Sequence, residues 1–204
     1  MELDLPRERF EGYIFDLDGT LIDTMPLHYL AWRDALRDHG VNRELDEELF
    51  YSLGGMPALQ VAEVFRAHYG ASFDLRAARE AKETRFQTLL PRAEQIDAVV
   101  SFAREAAKFA PVSVASGGPR DVVLRTLKHH ALDQLFSIVV TADDVTHGKP
   151  APDSFLLAAE RMRVAPERCL VFEDAEPGIA AARAAGMQFV RVASRSVSPA
   201  RGTK

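Results

Sequence analysis

Two aspartates at the end of a short apolar segment constrain the fold of this chain more than any other feature. Residues 12–16 are largely apolar up to Asp16, and Asp18 comes two positions later, just before Gly19 and Thr20. The segment predicts a buried strand, and the glycine predicts a turn directly after it. Two carboxylates at the end of a core strand need a neutralising partner, and hard oxygen ligands favour Mg²⁺. The pattern therefore indicates a metal site, although Asp-Gly pairs also occur in ordinary turns.

The second half of the chain alternates between strand-like and helix-like segments. Helices are predicted at residues 96–109, 121–129, about 151–162 and 177–185, and strands at 111–115, 138–140, 169–172 and 189–192. Strands that alternate with helices predict an α/β fold with a doubly wound, Rossmann-like parallel sheet and right-handed crossovers. The first strand, at residues 12–16, belongs to the same sheet.

An all-helical stretch separates the first strand from the rest of this sheet. Four amphipathic patterns, and no convincing strand, cover residues 24–40, 46–53, 57–70 and 75–90. We therefore predict a core formed by residues 1–23 and 93–204, with an inserted α-helical domain at 24–92. The polar segment from Ser194 onward is predicted to be a frayed tail.

Composition and charge narrow the range of partners. The 204 residues include 30 acidic and 25 basic side chains, and the net charge of −5 argues against a nucleic-acid partner. Residues 1–10 lack an apolar signal core, and no apolar stretch approaches the ~18 residues of a membrane span. The single cysteine, Cys169, excludes a disulfide within the chain. We expect a cytoplasmic protein without a membrane partner, and a monomer suffices for the chemistry below.

Polar groups also follow the predicted strands of the second half. Ser116 precedes Gly117, Lys149 stands in a Gly-Lys-Pro turn, and Glu173 and Asp174 end another strand. The carboxyl ends of parallel strands meet at one edge of the sheet, where ligands bind. The acids suit Mg²⁺, whereas a lysine, a hydroxyl and glycine amides suit an anion. Together they favour a phosphoryl group as the ligand.

Each of these groups also has a simpler interpretation. Ser116 could be an ordinary turn residue, Lys149 a surface lysine, and the Glu173-Asp174 pair a complement to the dipole of the next helix. We expect Asp143 and Asp144, at another strand end, to be solvated or to lie behind the metal ligands. The sequence has no phosphate-binding P-loop, which argues against a nucleotide triphosphatase of that type. A carboxylate nucleophile that forms an aspartyl-phosphate is the natural chemistry for the remaining set.

The four motifs, taken together, resemble those of the haloacid dehalogenase superfamily of phosphatases and phosphomutases. Residues 15–21 resemble its first motif, Ser116-Gly117 its second, Lys149-Pro150 its third, and Glu173-Asp174 with Gly178 its fourth. The resemblance covers nearly the whole chain, and the motifs occur in the family's order. Three longer segments are similar to the branch of β-phosphoglucomutases and small sugar-phosphate phosphatases: 23–32, 148–153 and 172–187.

The resemblance implies a role for each motif residue. Asp16 would be the nucleophile, and Asp18 would protonate the leaving oxygen and later activate water. Ser116 and Lys149 would hold the phosphoryl oxygens, assisted by amides near Leu17 and Gly117.

The same resemblance implies a Mg²⁺ cofactor and a cap. The metal would be held by Asp16, the backbone carbonyl of Asp18, Asp174 and Glu173. The inserted helical domain would close over the site and exclude water. His28, on the first cap helix, matches a histidine that lies near the active site in the mutase branch, although packing within that helix is the simpler explanation.

One departure from the mutases bears on the substrate. Mutases carry a cationic residue in a cap loop, where it holds the second phosphate of a bisphosphate, but residues 53–58 here contain no Lys or Arg. The last cap helix contains Lys82 and Arg85, but the sequence does not show where these side chains point. The uncharged loop favours a Mg²⁺-dependent phosphatase of a small sugar phosphate, with a β-phosphoglucomutase-like phosphomutase as the alternative.

Overall fold

The protein divides into two compact units. The structure, a computed structural model, describes residues 3–6, 8–54 and 56–193. The core unit contains the described residues up to Asp23 and from Glu94 onward, and the helical unit contains those from Thr24 to Ala93. The tail predicted from Ser194 lies outside the described residues, as does Gly55 in the loop at residues 53–58.

The described residues of the helical unit form four α-helices and one short 3-10 helix, Leu90–Arg92. The α-helices are α1 (Met25–Asp38), α2 (Glu47–Ser52), α3 (Ala58–Tyr69) and α4 (Leu75–Leu89). Asp46 and Asp74 begin α2 and α4, because each carboxylate accepts a hydrogen bond from the backbone N–H three residues later, at 2.9 and 2.8 Å. Trp32 of α1 packs edge-on against Phe65 of α3 with 5.6 Å between ring centroids. The apolar stripes of these helices thus form a core of their own.

The core unit has an α/β fold built around a parallel sheet. Its strands are β1 (Gly12–Phe15), β2 (Ile22–Asp23), β3 (Glu94–Gln95), β4 (Val112–Ala115), β5 (Ile138–Val140), β6 (Cys169–Glu173) and β7 (Gln188–Arg191). Five strands form one sheet in the order β5-β4-β1-β6-β7, and each neighbouring pair is parallel. The predicted fold class is confirmed, and β1 occupies the middle of the sheet.

Four helices connect these strands. They are α5 (Asp97–Ala106), α6 (Arg120–His129), α7 (Asp153–Met162) and α8 (Glu176–Ala184). α7 packs on β1, β4 and β5, and α8 packs on β6 and β7. Because helices cover the sheet, β1 and β4 are buried at every position and do not alternate between buried and exposed residues.

A two-stranded antiparallel ribbon was not predicted from the sequence. Ile22 pairs with Gln95 and Asp23 with Glu94, at the two points where the chain passes between the units. Ile96 N also donates to Leu21 O at 2.9 Å. Strands of two residues are too short to show a period, and their pairing joins segments that are far apart in sequence.

Aromatic side chains fill the space beside the central strand. Phe15 of β1 stacks on Phe172 of β6 with centroids 4.7 Å apart, and Phe102 and Phe136 contact this pair. Phe15 and Phe172 are fully buried. These rings hold together the two strands whose ends carry Asp16 and Glu173.

None of the helices among the described residues combines the length and the apolar character needed to cross a bilayer.

Replacing Phe172 by Ala should lower the free energy of unfolding by about 3–5 kcal/mol, because a buried ring is lost and a cavity remains. Phe109→Ala is the control, since that side chain is 66% exposed and should cost much less. Urea unfolding of both variants tests this expectation. Equal losses would show that the stacked pair does not stabilise the sheet as described.

Candidate active site

Asp16 lies directly after the central strand, where the chain turns sharply. Its backbone N–H donates to Phe172 O at 3.0 Å, which extends the sheet pairing by one residue. Leu17 O accepts hydrogen bonds from the N–H groups of Leu21 and Ile22, both at 3.0 Å. Gly19 has a φ of 87°, a conformation that glycine adopts readily, so the turn after the strand depends on it. The Asp16 side chain is thereby buried at the edge of the sheet.

Lys149 bridges two buried carboxylates. Its Nζ lies 2.6 Å from Asp16 Oδ1 and 2.7 Å from Glu173 Oε2, and all three side chains are largely buried. The ammonium also lies 4.9 Å from the centroid of the Phe155 ring. The lysine predicted to be an anion ligand is therefore held inside the site and is not a surface side chain.

Three acids converge beside this lysine. Carboxylate oxygens of Asp16, Glu173 and Asp174 all lie within 4.8 Å of one another. Glu173 Oε1 accepts a hydrogen bond from Ala175 N at 3.1 Å, and Asp174 Oδ1 accepts one from Thr20 Oγ1 at 3.2 Å. The carboxylates are thus fixed in place, and one ammonium cannot neutralise all three.

Burial and mutual repulsion raise the pKa values of the acids. Burial, followed by the charge of Glu173, raises the pKa of Asp16 well above its ordinary value, despite the attraction of Lys149. The same two causes raise the pKa of Asp174 to about 7. Burial alone would lower the pKa of Lys149, but the charges of Asp16 and Glu173 outweigh burial and raise that pKa overall. The site therefore holds an excess of negative charge that an added cation would relieve.

This donor set fits a hard divalent cation. Mg²⁺ binds carboxylate oxygens, and three such groups converge here from two neighbouring strand ends. The pKa of Asp174 near neutrality is the expected signature of acids that share too little positive charge. The structure brings together Asp16, Glu173 and Asp174, which were all predicted as metal ligands. Their binding of a metal, like the contribution of the Asp18 backbone carbonyl, stays a prediction.

Two glycines make room for the acids. A Cβ on Gly178 would lie 2.0 Å from Glu173 Oε2, and a Cβ on Gly19 would lie 2.3 Å from Asp174 Oδ2. Any larger residue at either position would displace a carboxylate. Gly178 was noted as part of the fourth motif, but its effect on Glu173 depends on how α8 packs and was not foreseen.

Ser116 begins a loop at the end of β4. Its N–H donates to Val140 O at 3.0 Å, and its Oγ accepts from Gly118 N at 3.0 Å. Ser116 is buried, and a Cβ on Gly117 would meet nothing within 4 Å, so the backbone is open to a ligand there. Phosphate binding by Ser116, Gly117 and the amides near Leu17 stays a prediction.

Asp18 lies in the turn and is partly buried. Its backbone forms an isolated bridge with Ile22, and its charge is one of those that raise the pKa of Asp16. Thr20, which the sequence arguments did not single out, is fully buried and donates to Asp174. The sequence feature that could have identified Thr20 is its position directly after the Asp-x-Asp-Gly motif.

His28 belongs to the helical unit, whereas the residues above belong to the core unit. Its ring stacks on Phe86 with 3.8 Å between centroids, and burial followed by the charge of Lys82 lowers its pKa well below the ordinary value. Lys82 is itself buried and lies 3.0 Å from Glu83, and Arg85 is ion-paired with Asp38. Packing within the helical unit accounts for the position of His28, and its membership of the site stays a prediction.

The chain is similar to several known proteins. The sequence model of the haloacid dehalogenase-like hydrolases matches residues 10–186. A fructose-1-phosphate phosphatase of Escherichia coli is 41% identical over 186 residues, which cover 91% of this chain and 97% of that protein. A phosphorylated carbohydrates phosphatase of Thermotoga maritima is 30% identical over 88% of this chain and 83% of its own length. The structure of CbbY from Rhodobacter sphaeroides in complex with phosphate is similar with a TM-score of 0.75, at 26% identity, over 88% of this chain and 84% of that one.

Gly178→Ala should lower the melting temperature. Alanine normally stabilises a helix relative to glycine by up to about 1 kcal/mol, but here its Cβ would force Glu173 away from Lys149. In a Glu173→Ala background the same change should be neutral or stabilising, because the obstructing carboxylate is gone. Thermal unfolding of the four proteins in this cycle tests the claim. An equal loss in both backgrounds would mean that the close approach is not the cause.

Proposed function

Because this chain belongs to the haloacid dehalogenase-like hydrolase family, we propose that it is a Mg²⁺-dependent phosphatase that hydrolyses a small sugar phosphate through an aspartyl-phosphate. The observation that carries the proposal is the buried Asp16 carboxylate held 2.6 Å from Lys149 Nζ beside two further acids. The names of the relatives, which specify fructose 1-phosphate and phosphorylated carbohydrates, support the substrate class.

The first chemical step is attack of Asp16 on phosphorus. A bond forms between a carboxylate oxygen and phosphorus while the ester bond to the sugar oxygen breaks. Asp18, in its protonated form, gives its proton to that leaving oxygen. Lys149 orients Asp16 and offsets its repulsion with the dianionic ester, and the Ser116 loop binds the remaining phosphoryl oxygens.

The second step regenerates the enzyme. Asp18, now a carboxylate, takes a proton from water, and the water oxygen attacks the aspartyl-phosphate. The bond between phosphorus and Asp16 breaks, so the carboxylate is restored and inorganic phosphate leaves. Positioning and charge neutralisation supply most of the catalysis in such transfers, which is why a site of fixed, buried charges suits it.

The metal would be held by Asp16, Glu173 and Asp174, with the backbone carbonyl of Asp18 as a further ligand. When bound, Mg²⁺ supplies positive charge that stabilises the phosphoryl oxygens as charge develops on them. Glu173 has two partners already, Lys149 and Ala175 N, so Asp174 is the ligand whose loss should affect the metal most.

The phosphomutase alternative requires cations for a second phosphate. The loop at residues 53–58 has none, and the two candidates on α4 are engaged within the helical unit, Lys82 with Glu83 and Arg85 with Asp38. These contacts favour hydrolysis. β-Glucose 1-phosphate with a bisphosphate activator separates the two, since a mutase would yield glucose 6-phosphate and a phosphatase free phosphate. The role of the helical unit as a cap, the cytoplasmic location and the monomeric state stay predictions.

Asp16→Asn should reduce kcat by about 10³-fold or more, because the amide is a poor nucleophile. The fold should survive, since the change removes a buried negative charge and leaves Lys149 paired with Glu173. Hydrolysis of para-nitrophenyl phosphate, with circular dichroism for folding, tests both statements. Asp121→Asn, at an exposed acid paired with Arg125, is the control and should be fully active. Unimpaired turnover by the Asp16 variant would overturn the assignment.

Adding Mg²⁺ should raise the melting temperature and support hydrolysis, and a chelator should reverse both effects. Asp174→Asn should weaken Mg²⁺ binding by at least about tenfold, because one carboxylate of the cluster becomes neutral. Isothermal titration of the wild type and this variant with Mg²⁺ measures the affinity directly. Full hydrolysis in the presence of chelator would exclude the metal-dependent mechanism.

A further inference from the structure

Asp144, at the end of β5, is the centre of a hydrogen-bonded network. It closes a short 3-10 helix, Ala142–Asp144, and its carboxylate accepts from both the N–H and the hydroxyl of Thr141 at 2.8 Å. Arg120 Nη2 lies 2.6 Å from both of its oxygens, and Arg161 Nη2 lies 2.8 Å from Oδ1. Its side chain is only 11% exposed. Of the two expectations for Asp144, that of a solvated acid is therefore wrong, and that of a place behind the metal ligands stays a prediction.

The network keeps Asp144 ionised. Burial alone would raise its pKa, but hydrogen bonds from Arg161, Thr141 and Arg120 lower the pKa well below the ordinary value for aspartate. Charge-assisted bonds of this kind are stronger and more directional than neutral ones. The contacts therefore persist throughout the neutral pH range.

The network joins residues 116–120 to residues 140–144. Each segment contains or precedes a residue that is predicted to bind phosphate. Besides the Arg120–Asp144 pair, Ala142 N donates to Gly118 O at 3.2 Å, and Arg120 N donates to Asp143 Oδ2 at 2.8 Å. Together with the bond from Ser116 N to Val140 O, these contacts attach residues 116–120 to residues 140–144 along their length. Ser116 begins the first segment, and Lys149 follows the second by five positions.

The two arginines on Asp144 differ in what they attach. Arg120 is the first residue of α6 and immediately follows the Ser116 loop and Pro119. Arg161 comes from the far end of α7, and its Nη1 donates to Val139 O at 2.8 Å, so it attaches that helix to β5. Their side chains are similarly exposed, 41% and 37%. The two arginines therefore share Asp144 as a partner, but Arg120 attaches the start of α6 beside the Ser116 loop, whereas Arg161 attaches α7.

We propose that Arg120, acting through Asp144, is a positioning residue that fixes the Ser116 loop relative to the segment carrying Lys149, so that both meet the same phosphoryl group. The inference rests on the proposed function only for the identity of the ligand, which is a phosphoryl group. Arg161, by contrast, stabilises the fold without setting the geometry of the loop. A misplacement of about 1 Å in such a loop weakens its hydrogen bonds to phosphoryl oxygens by a large factor.

The test compares Arg120→Gln with Arg161→Gln in the full chain with Mg²⁺. Both variants should lose stability to a similar extent, since each loses an ion pair to Asp144. Only Arg120→Gln should raise KM for para-nitrophenyl phosphate and the inhibition constant of inorganic phosphate, each by about fivefold to tenfold. Its kcat should change less than KM, because the loop holds the phosphoryl oxygens in the ground state and in the transition state alike. Arg120→Lys, which keeps the charge, should restore part of the loss and replaces Arg120→Gln if that variant does not fold.

Direct binding separates this inference from the proposed function. Isothermal titration of inorganic phosphate into the wild type and each variant needs no turnover, so the expected loss in Arg120→Gln is measurable even if no ester is hydrolysed. A phosphate affinity that is unchanged in Arg120→Gln would overturn the inference. An equal loss of phosphate affinity in Arg120→Gln and Arg161→Gln would also overturn the inference, because it would show that the network only stabilises the fold in general.

Discussion

The ion pairs of one buried lysine determine how this site is built. Lys149 Nζ bonds Asp16 and Glu173 at once, and it thereby permits two carboxylates to lie inside the protein at the ends of adjacent strands. Breaking such a buried pair by removing one partner typically costs about 3–5 kcal/mol, because the other charge is left uncompensated. Lys149 neutralises only part of the negative charge of the three acids. Burial and the charge that remains raise the pKa values of Asp16 and Asp174. In the function proposed above, this excess of negative charge would bind a divalent cation and, with it, a phosphoryl group.

The sheet brings these charges together, and small residues let them approach. β1 and β6 are neighbours in parallel register, so Asp16 and Glu173 emerge at the same edge, supported by the stacked rings of Phe15 and Phe172. Gly19 and Gly178 then admit Asp174 and Glu173 where a side chain would obstruct them. Stability and chemistry are therefore coupled in the same few positions, because the rings that hold the strands also fix the spacing of the acids.

The sequence predicted what depends on local pattern. The strands, the helices and the acids at the strand ends were predictable, because strand periodicity and turn residues mark where a parallel strand stops, and the strand ends share one edge. The β2–β3 ribbon and the Arg120–Asp144–Arg161 network were not, since both join segments distant in the chain and leave no periodic trace. Asp143 and Asp144 illustrate the limit: they are adjacent acids of the same type, but Asp143 is exposed, whereas the Asp144 side chain is 11% exposed and ion-paired with two arginines.

The central claim is that Asp16, held by Lys149, receives the phosphoryl group. Acid quenching of the wild-type enzyme during turnover of para-nitrophenyl phosphate, followed by peptide mass spectrometry, tests this most directly. If Asp16 is the nucleophile, a fraction of the enzyme will carry one phosphoryl group, located on the peptide that contains Asp16 and removed by brief treatment with base. Steady turnover without phosphoryl enzyme at any quench time, or with the group on another residue, would contradict it.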